Sequence, residues 1–354
     1  MNHVELFAGI GGFRRAMDLM SIDSNIKIKT VAFSEIDEKA VLSYCANFQT
    51  ENEIAIGDIV PFVQDEKNID KLPDFDIISG GFPCQTFSMM GKQLGFAEDR
   101  GQMFFRIMDI LQNRHPKFVL LENVKNLLTH DKGKTIETIK NTLDDAGYKV
   151  RFDQFNTLDF GLPQKRNRVI IFARLKEYGD FEFNANLVKD CFSRINRAKC
   201  SLSFYDSVVD VLQKNVEGKY YLSDKIKPTI LSDGSSSFKS NSDIDQIVAR
   251  PLTATMHKMH RACQDNYYSD IFINSDGKKR PSETMNKEEL ATIQIRKLTP
   301  QEAFMLQGFP TDFAANAEKM KVANGAMYKQ AGNAVSVNTI YAVLHYLVTN
   351  KIIF

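Results

Sequence analysis

Phe75-Asp76-Ile77-Ile78-Ser79-Gly80-Gly81-Phe82-Pro83-Cys84-Gln85 is the stretch that decides the fold of this chain. Its first half is a short apolar run, which predicts a buried strand. The glycine pair lets the backbone approach a ligand closely, and Pro83 fixes the chain directly before a cysteine. Free cysteine is often packed as a small hydrophobic residue, but this setting predicts a thiol presented at a strand end. Cys84 is therefore the candidate nucleophile.

A second predicted strand ends in polar side chains that could act together with the thiol of Cys84. An apolar run at residues 118–121 leads straight into Glu122 and Asn123, a carboxylate and an amide. In an open parallel sheet, neighbouring strand ends converge on one crevice, and ligands bind in that crevice. The sequence therefore predicts one site that contains Cys84 and Glu122, with Asn123 as a buried amide that supports the turn.

The first half of the chain alternates strand and helix patterns. Strand patterns occupy residues 4–7, 29–33, 53–56, 76–78, 118–121 and 168–172, and helical spacing recurs over residues 103–111 and 136–143. This alternation predicts an α/β fold, a Rossmann-like and mostly parallel sheet with helices on both faces. A polar stretch at residues 232–242 predicts a surface loop, and an apolar stripe at residues 335–347 predicts a C-terminal helix.

Composition excludes several classes of protein. With 354 residues, 43% hydrophobic and 25% charged, the chain is typical of a globular protein with a large core. It contains no apolar run near the roughly 20 residues that a spanning helix needs, and its start lacks a secretory signal pattern, so we expect a cytoplasmic protein. Five cysteines without a Cys-x-x-Cys pair indicate neither a disulfide framework nor a metal site.

Charge is informative only locally. The net charge of +1 does not by itself indicate a nucleic-acid-binding protein. Between Gly161 and Cys200, however, nine Lys or Arg residues stand against four Asp or Glu residues. A basic patch is therefore expected in this part of the chain.

The end of the first predicted strand suggests a small cofactor. Phe7 is followed by a glycine turn that contains Gly9 and Gly11, but Arg14 stands where a dinucleotide fingerprint needs its third glycine. Such a turn suits a cofactor that lacks a pyrophosphate, although glycine turns after strands are common.

Two acids at the next strand ends extend this site. Glu35 follows the second strand and can accept hydrogen bonds from ribose hydroxyls. Asp58 follows the third strand and can accept a hydrogen bond from an exocyclic amine of adenine, while Ile59 covers the ring. Either acid taken alone is as readily a helix cap, but their joint placement favours an adenosine-shaped site.

Six short motifs occur in an order that resembles the DNA (cytosine-5) methyltransferases, in particular the short bacterial enzymes of restriction-modification systems. These motifs are Phe7-Ala8-Gly9-Ile10-Gly11-Gly12, Pro83-Cys84-Gln85, Glu122-Asn123-Val124, Gln164-Lys165-Arg166-Asn167-Arg168, Arg296-Lys297-Leu298-Thr299-Pro300-Gln301-Glu302 and Gly332-Asn333-Ala334-Val335. The resemblance spans nearly the whole chain, and only residues 176–295 lie outside it.

The resemblance implies an enzyme with the S-adenosylmethionine-dependent methyltransferase fold and a smaller target-recognition domain. Its reaction would transfer a methyl group from S-adenosylmethionine to carbon 5 of a flipped cytosine in a specific duplex DNA sequence. Cys84 would form a covalent adduct at carbon 6, because carbon 5 is otherwise too weak a nucleophile. Glu122 would hydrogen-bond ring nitrogen 3. The expected partners are duplex DNA and a cognate restriction endonuclease, with the enzyme acting as a monomer on DNA.

The resemblance also assigns roles to further residues. Arg166 and Arg168 alternate along a predicted strand and would point the same way, Arg168 toward the base and Arg166 in a positioning role. The implied cofactor-binding residues are Phe7, Gly9, Gly11, Glu35, Ile36, Asp58, Ile59, Pro83, Asn333 and Ala334. The implied DNA-binding residues are Gln85, Ser88, Lys92 and Arg100 in a closing loop, and Arg250, Thr253, Thr255, His257, Lys258 and Arg261 in the recognition region.

Domain ranges follow from the motifs and from the change of pattern after residue 175. We expect a catalytic and cofactor-binding domain at residues 1–178 and a target-recognition domain with a hinge at residues 179–320. Residues 321–354 would form a C-terminal helix that returns to the catalytic domain. Thr299 and Glu302 are expected to hold structure, with Pro300 in the first turn of a helix.

Three other interpretations use the same residues. A transfer RNA substrate keeps the fold and chemistry, but the long variable region favours DNA. A catalytically silent DNA-binding protein would have no need of Cys84, Glu122 and Arg168. A nicotinamide-dependent oxidoreductase fits the sheet, but Arg14 in the glycine turn argues against it.

Overall fold

The computed structural model describes residues 1–83, 103–235, 237–258 and 261–354. The chain divides into two compact units. Unit 1 comprises Met1–Asn156, Asn167–Leu202 and Thr339–Phe354, and unit 2 comprises Thr157–Arg166 and Ser203–Asn338. The functional ranges 1–178, 179–320 and 321–354 stay a prediction. Within the described ranges, no helix is both long and apolar enough to cross a lipid bilayer.

Unit 1 is built on a seven-stranded sheet, as far as the described residues go. Its strands are β1 (Asn2–Leu6), β2 (Lys29–Phe33), β3 (Ile54–Ala55), β4 (Ile77–Gly81), β5 (Phe118–Val124), β6 (Tyr148–Asn156) and β7 (Asn167–Leu175). They are ordered β3-β2-β1-β4-β5-β7-β6. Strands β1 to β5 pair in parallel, and β7 runs antiparallel to both of its neighbours. The predicted α/β fold with a mostly parallel sheet is confirmed.

Unit 1 contains the helices α1 (Gly12–Asp23), α2 (Glu38–Asn47), α3 (Ile59–Gln64), α4 (Glu66–Asp70), α5 (Met103–Arg114), α6 (Lys134–Asp145) and α7 (Ala185–Phe192). Helices α1 to α6 lie between strands of this sheet in the sequence, and α7 follows the last strand. The apolar positions of α5 and α6 that define their helical spacing are buried, including Phe104, Ile107, Ile139 and Leu143. Burial of one apolar stripe on each helix stabilises both helices against the sheet.

The strand order creates a switch point between β1 and β4. From β1 the chain moves outward to β2 and β3, and then returns to place β4 on the other side of β1. Ligands in open α/β sheets bind at the carboxyl ends of the strands at such a point. The glycine turn follows β1 and Pro83 follows β4, so both predicted ligand-binding segments lie at this switch point.

The strand β6 was not predicted. Its nine residues, Tyr148–Asn156, pair antiparallel with β7, whereas the sequence analysis predicted no strand between the helix pattern and residue 168. The third strand is also shorter than expected, with two residues in place of four. Neither correction moves the carboxyl ends of β1, β4 or β5.

Unit 2 has short elements. Its strands are β8 (Gly234–Ser235), β9 (Phe238–Lys239), β10 (Tyr267–Ser269) and β11 (Ile295–Lys297). Its helices are α8 (Lys227–Leu231), α9 (Asp270–Asn274), α10 (Lys287–Leu290), α11 (Pro300–Met305), α12 (Phe313–Lys319) and α13 (Asn324–Asn333); α14 (Val337–Thr349) follows and belongs to unit 1 from Thr339 onward. In the predicted polar loop at residues 232–242, β8 and β9 pair antiparallel.

A buried ion pair holds the C-terminal part of unit 2. The guanidinium of Arg296 donates to both carboxylate oxygens of Glu302, at 2.7 and 2.9 Å, and both side chains are fully buried. Glu302 also forms a capping box with Thr299 at the start of α11, where Pro300 occupies the first turn. The prediction that these residues hold structure, with Pro300 in the first helical turn, is confirmed.

Candidate active site

The glycine turn after β1 adopts a conformation that requires positive φ angles. Phe7 has a φ of 51°, Gly9 of 56° and Gly11 of 82°. The amide of Gly11 donates to the carbonyl of Ala8 at 2.8 Å, which closes the turn. A methyl group on Gly11 would lie 2.4 Å from Cε2 of Phe48, so glycine is also required there for space. The turn thus brings its backbone amides to the carboxyl end of β1.

A buried polar network lies beneath this turn. The carboxyl group of Glu5 on β1 accepts from the amide of Arg14 at 3.2 Å and from the hydroxyl of Tyr44 at 3.0 Å. Arg14, the residue that breaks the dinucleotide fingerprint, forms ion pairs with Glu53 at 2.6 Å and with Asp18 at 3.2 Å. Desolvation by burial raises the pKa of Glu5 to about 8. The network ties the first turn of α1 to α2 and β3.

Glu35 binds the glycine turn directly. One carboxylate oxygen accepts from the amide of Gly9 at 2.8 Å, and the other accepts from the amides of Ile36 and Asp37, each at 2.8 Å. A carboxylate offers about four acceptor positions, so these three bonds leave it little capacity for a ligand. The main observed role of Glu35 is therefore to fix the turn.

The remaining predicted adenosine contacts differ in exposure. Ile36 is 73% exposed, so the surface of its side chain is available to a ligand ring. Asp58 is exposed and caps α3 by accepting from the amide of Val60 at 2.9 Å. Ile59 is only 2% exposed and packs in the core of unit 1, so its placement does not support a ring contact.

The chain that leaves β4 is fixed by Asn123. Its side-chain amide donates to the carbonyl of Phe82 at 2.8 Å, and its oxygen accepts from the amide of Val124. Asn123 is 2% exposed, whereas Pro83 is exposed. Gly80 suits the close pairing of β4 with β1, because a methyl group there would lie 3.1 Å from the carbonyl oxygen of Leu6. The supporting role predicted for Asn123 agrees with these bonds.

Glu122 and Arg168 form an ion pair at the carboxyl end of β5. The Nε atom of Arg168 lies 2.7 Å from Oε1 of Glu122, and the two side chains are 20% and 11% exposed. Arg168 also donates through Nη1 to the carbonyl of Asn167 at 2.9 Å. Within the described part of the chain, Oε2 of Glu122 and Nη2 of Arg168 have no hydrogen-bond partner. Both atoms can meet a ligand.

Arg166 does not share this arrangement. Its guanidinium donates to the carbonyls of Leu252, Gly332 and Ala334 at 2.9 to 3.0 Å, and the residue is 1% exposed. Arg166 precedes β7, which begins at Asn167, so the two arginines do not alternate along one strand. These contacts do not support the expectation that the two side chains point the same way along a strand, whereas the positioning role expected for Arg166 stays a prediction.

The other predicted cofactor residues lie at the end of α13. Asn333 is exposed and is the last residue of that helix, and Ala334, its C-cap, is 7% exposed. The carbonyl of Ala334 is held by Arg166. Of these two residues, only Asn333 has an exposed side chain that a ligand could contact.

The predicted recognition residues lie in unit 2, and not all are available for DNA. Thr255, Lys258 and Arg261 are exposed, and Thr253 and His257 are partly buried. Arg250 uses Nη1 to bind the carbonyl of Asp243 at 2.9 Å. Arg250 therefore stabilises the backbone at residue 243, and part of its guanidinium is not available to a phosphate.

Several predicted residues lie outside the described residues, namely Cys84, Gln85, Ser88, Lys92 and Arg100. Their roles stay predictions. Among the residues that are described, no group of three or more His, Cys, Asp or Glu side chains could hold a metal ion.

Comparison with known protein families identifies the family of this chain. The family profile described as C-5 cytosine-specific DNA methylase matches residues 1–349. The chain belongs to this family. It is therefore a DNA (cytosine-5-)-methyltransferase, as the six motifs predicted.

Similar curated proteins are Type II methyltransferases. M1.ScrFI of Lactococcus lactis subsp. cremoris is 38% identical over 347 residues, which cover 96% of this chain and 76% of that protein. M.NlaX of Neisseria lactamica is 35% identical, with 96% of this chain and 94% of that protein covered. The similarity thus extends through both units of this DNA methylase.

Solved structures agree on the fold. The Schizosaccharomyces pombe Dnmt2 methyltransferase matches with a TM-score of 0.76 at 20% identity, covering 100% of this chain and 99% of that chain. The Entamoeba histolytica methyltransferase EhMeth matches with a TM-score of 0.73 at 21% identity, covering 99% and 98%. At these identities the likeness concerns the architecture alone, the α/β methyltransferase sheet.

The sequence analysis missed Glu5 and Tyr44, which support the glycine turn of this DNA methylase. One signal was available, because Glu5 interrupts an apolar strand pattern at a position that must be buried. A buried carboxyl group requires hydrogen-bond donors nearby. No comparable signal identified Tyr44, since its partner lies 39 residues earlier in the chain.

Proposed function

We propose that this DNA methylase transfers a methyl group from S-adenosylmethionine to carbon 5 of a cytosine that has left the DNA stack. Cys84 forms a transient covalent bond to carbon 6 of that cytosine. The substrate is a specific sequence in duplex DNA. A target inside the stack is inaccessible to a side-chain nucleophile, so the base must be extruded, at a cost of a few kcal/mol.

The observation that carries this proposal is the Glu122–Arg168 ion pair beside the end of β4. Gly81 of β4 pairs with Glu122 of β5, so the carboxylate lies one strand from the segment that leads into Cys84. Asn123, the next residue, holds the carbonyl of Phe82 at 2.8 Å. A carboxylate, a guanidinium and the segment that leads to a cysteine thus lie on the neighbouring strands β5, β7 and β4, at one edge of the sheet.

The proposed chemistry assigns a separate task to each side chain. The Cys84 thiolate adds to carbon 6, and electron density moves onto the ring toward carbon 5 and nitrogen 3. A proton shared between Oε2 of Glu122 and nitrogen 3 stabilises this charge, while Arg168 holds Oε1 and directs Nη2 toward the cytosine carbonyl. After methylation, a water molecule takes the proton of carbon 5 as the Cys84 sulfur leaves carbon 6 as a thiolate, which restores the aromatic ring.

The residues around the glycine turn fit S-adenosylmethionine. The positive-φ turn offers backbone amides, and the exposed Ile36 offers an apolar surface to the adenine ring. Asp58 is exposed with one carboxylate oxygen engaged in the cap, so the other can accept from the adenine amine. Asn333 is a further candidate contact. When bound, S-adenosylmethionine supplies the methyl group that carbon 5 takes.

The proposed DNA contacts divide between two segments. The closing loop contributes Gln85, Ser88, Lys92 and Arg100, and the recognition region contributes Thr253, Thr255, His257, Lys258 and Arg261. Exposed Lys and Arg side chains suit phosphates, and Thr and His side chains can also meet base edges. The Type II relatives further suggest a cognate restriction endonuclease, and we propose that the methylase acts on DNA as a monomer.

Trapping of the covalent adduct tests the proposal. Duplex DNA that contains 5-fluorocytosine at the target should hold Cys84 irreversibly, because fluorine cannot leave carbon 5 as the proton does. Bisulfite sequencing of DNA from cells that express the chain first identifies the target. The Cys84→Ser variant should bind this DNA without forming the adduct or transferring a methyl group. Cys45→Ser is the matched control, since Cys45 is an exposed free cysteine of unit 1, and it should form the adduct.

Two results would contradict the proposal. An adduct that persists in Cys84→Ser would refute the assigned nucleophile. Methyl transfer to transfer RNA in place of duplex DNA would refute the assigned substrate, so both nucleic acids are assayed with the same preparation.

A further inference from the structure

We propose that Arg166 is a positioning residue that fixes two substrate-binding segments of unit 2 at once. The segments are the recognition loop, defined here as residues 250–258, and the cofactor turn, residues 332–334. This inference rests on the proposed function, which assigns Thr253, Thr255, His257 and Lys258 to DNA and Asn333 to the methyl donor. It specifies which segments the positioning role expected for Arg166 would act on.

The hydrogen bonds of Arg166 connect these segments. Nη1 donates to the carbonyl of Leu252 at 3.0 Å, and Nη2 donates to the carbonyls of Gly332 at 3.0 Å and Ala334 at 2.9 Å. The guanidinium is among the largest side chains that are fully buried. A buried cation is costly unless it is hydrogen-bonded, so these acceptors must stay in place for the charge to be tolerated. Arg166 therefore restricts the positions of both segments.

Gly332 makes the two segments touch. A methyl group on Gly332 would lie 2.2 Å from the carbonyl carbon of Thr253 and 2.3 Å from the amide nitrogen of Ala254. Backbone atoms cannot yield as a flexible side chain can. The recognition loop thus rests directly on the end of α13, one residue before Asn333, and a shift in one segment displaces the other.

Neighbouring polar residues strengthen the same junction. Gln164 accepts from the amide of Leu252 at 3.0 Å and donates to the carbonyl of Leu306 at 2.8 Å. Gln307 donates to the carbonyl of Ala331 at 2.7 Å. Gln164 and Gln307 are fully buried. Buried polar groups that have hydrogen-bond partners favour a single arrangement of the segments they connect. The amide of Lys165 also donates to the carbonyl of Ala249 at 3.0 Å, so the chain directly before Arg166 is bound to the base of the recognition loop.

Arg166→Gln should therefore weaken both substrates together. We expect the KM for duplex DNA and the KM for S-adenosylmethionine each to rise by roughly tenfold, because one charge-assisted hydrogen bond to the recognition loop and two to the cofactor turn are lost. The kcat should change less, since the buried guanidinium of Arg166 donates to these backbone carbonyls. Arg166→Lys keeps the charge but not the planar fork, and it should restore part of both KM values.

Arg174→Gln is the matched control. Arg174 is also buried, at 6% exposure, and also donates to backbone carbonyls, those of Ile352 and Asp180 at 3.1 Å each. All of these residues belong to unit 1. The control should lose stability to a similar degree and keep both KM values. Gly332→Ala is a second test variant, because it keeps Arg166 and displaces the same junction, and it should also raise both KM values.

The outcomes separate the roles. A loss of kcat in Arg166→Gln at unchanged KM values would mean that Arg166 acts on the base, and KM values equal to those of the Arg174 control would mean that its role is only structural. Hydrogen exchange of the amides in the recognition loop gives a readout independent of activity, and it should be faster in Arg166→Gln than in the control. If the wild-type enzyme does not methylate duplex DNA, the proposed function fails, whereas unchanged exchange overturns the role of Arg166.

Discussion

At the scale of single residues, Gly11 shows how one missing side chain shapes the cofactor turn. Its φ of 82° lies in the left-handed region, and the space beside its Cα is filled by the rings of Phe48 and Tyr44. Conformation and space are therefore two separate requirements at one position. They can be separated by comparison with a glycine that meets only the first requirement.

Gly11→Ala should destabilise the protein by about 2 to 4 kcal/mol, since backbone strain adds to overlap with an aromatic ring. Gly147→Ala is the control, because Gly147 has a φ of 92° but nothing within 4 Å of the added methyl group. It should lower the free energy of unfolding by about 1 kcal/mol. The free energy of unfolding in urea is measured for both variants. Equal losses would show that the overlap with the aromatic rings is relieved without an energetic cost, which would contradict the prediction.

The two arginines show what a single sequence can and cannot predict at this scale. The residue types at the strand ends were predicted, and Arg168 is paired with Glu122. The partner of Arg166 was not predictable, because its acceptors lie 86, 166 and 168 residues later in the chain. Glu35 likewise follows the predicted strand, but its partners are backbone amides, which carry no signature in the sequence.

At the scale of elements, β1 carries two buried titratable groups whose pKa values move in opposite directions. Burial lowers the pKa of His3 to about 3, and His3 bonds Thr30 on β2 and Ser79 on β4. Burial raises the pKa of Glu5 from 4.5 to about 8. The folded strand therefore favours the neutral form of both side chains.

Opposite pH dependences follow for the free energy of unfolding. For Glu5, the folded protein retains a proton that the unfolded chain releases above about pH 4.5, so its contribution is lost as pH rises toward about 8. For His3, the unfolded chain binds a proton below about pH 6.5, whereas the folded protein does not bind it until about pH 3. The contribution of His3 to the free energy of unfolding is therefore lost as pH falls toward about 3.

Glu5→Gln isolates the first of these contributions. The variant stays neutral, and its stability relative to wild type should increase between about pH 5 and about pH 8, by at most about 1.4 kcal/mol per pH unit. Glu137→Gln is the control, since Glu137 is an exposed carboxylate on α6. Its difference from wild type should stay nearly constant with pH. A flat profile for Glu5→Gln in urea unfolding would refute the raised pKa.

Strand β6 marks the limit of pattern-based prediction for elements. The apolar alternation of its nine residues is incomplete, and only Tyr148, Val150 and Phe155 are buried. Strands β2 and β5 contain continuous apolar runs, at residues 31–33 and 118–121, which is typical of parallel strands covered on both faces. Their positions were therefore predictable, whereas the antiparallel pairing of β6 with β7 depends on contacts that the local pattern does not encode.

At the scale of the whole molecule, unit 1 depends on the last residues of the chain. Thr339–Phe354 forms its third segment, in which Ile340, Val343, Leu344 and Leu347 are fully buried. Burial of such side chains contributes about 2 kcal/mol each, so four of them are comparable to the whole stability of a typical domain. The apolar stripe in the sequence predicted this helix, but not the boundaries of the two units.

A chain that ends at Asn338 should therefore lose the cooperative unfolding transition of unit 1. Circular dichroism during urea unfolding is the measurement, and a transition with wild-type midpoint and slope would contradict the expectation. A chain that ends at Ile353 is the control. It lacks only Phe354, whose side chain is 54% exposed, and it should unfold nearly as the wild type does.

The division of unit 1 into three segments has a consequence for biosynthesis. A ribosome adds every residue of unit 2 before it reaches Thr339, the start of the third segment of unit 1. The sheet of unit 1 therefore cannot complete its core until Thr339–Phe354 has been synthesised, although its first strand is among the earliest residues made.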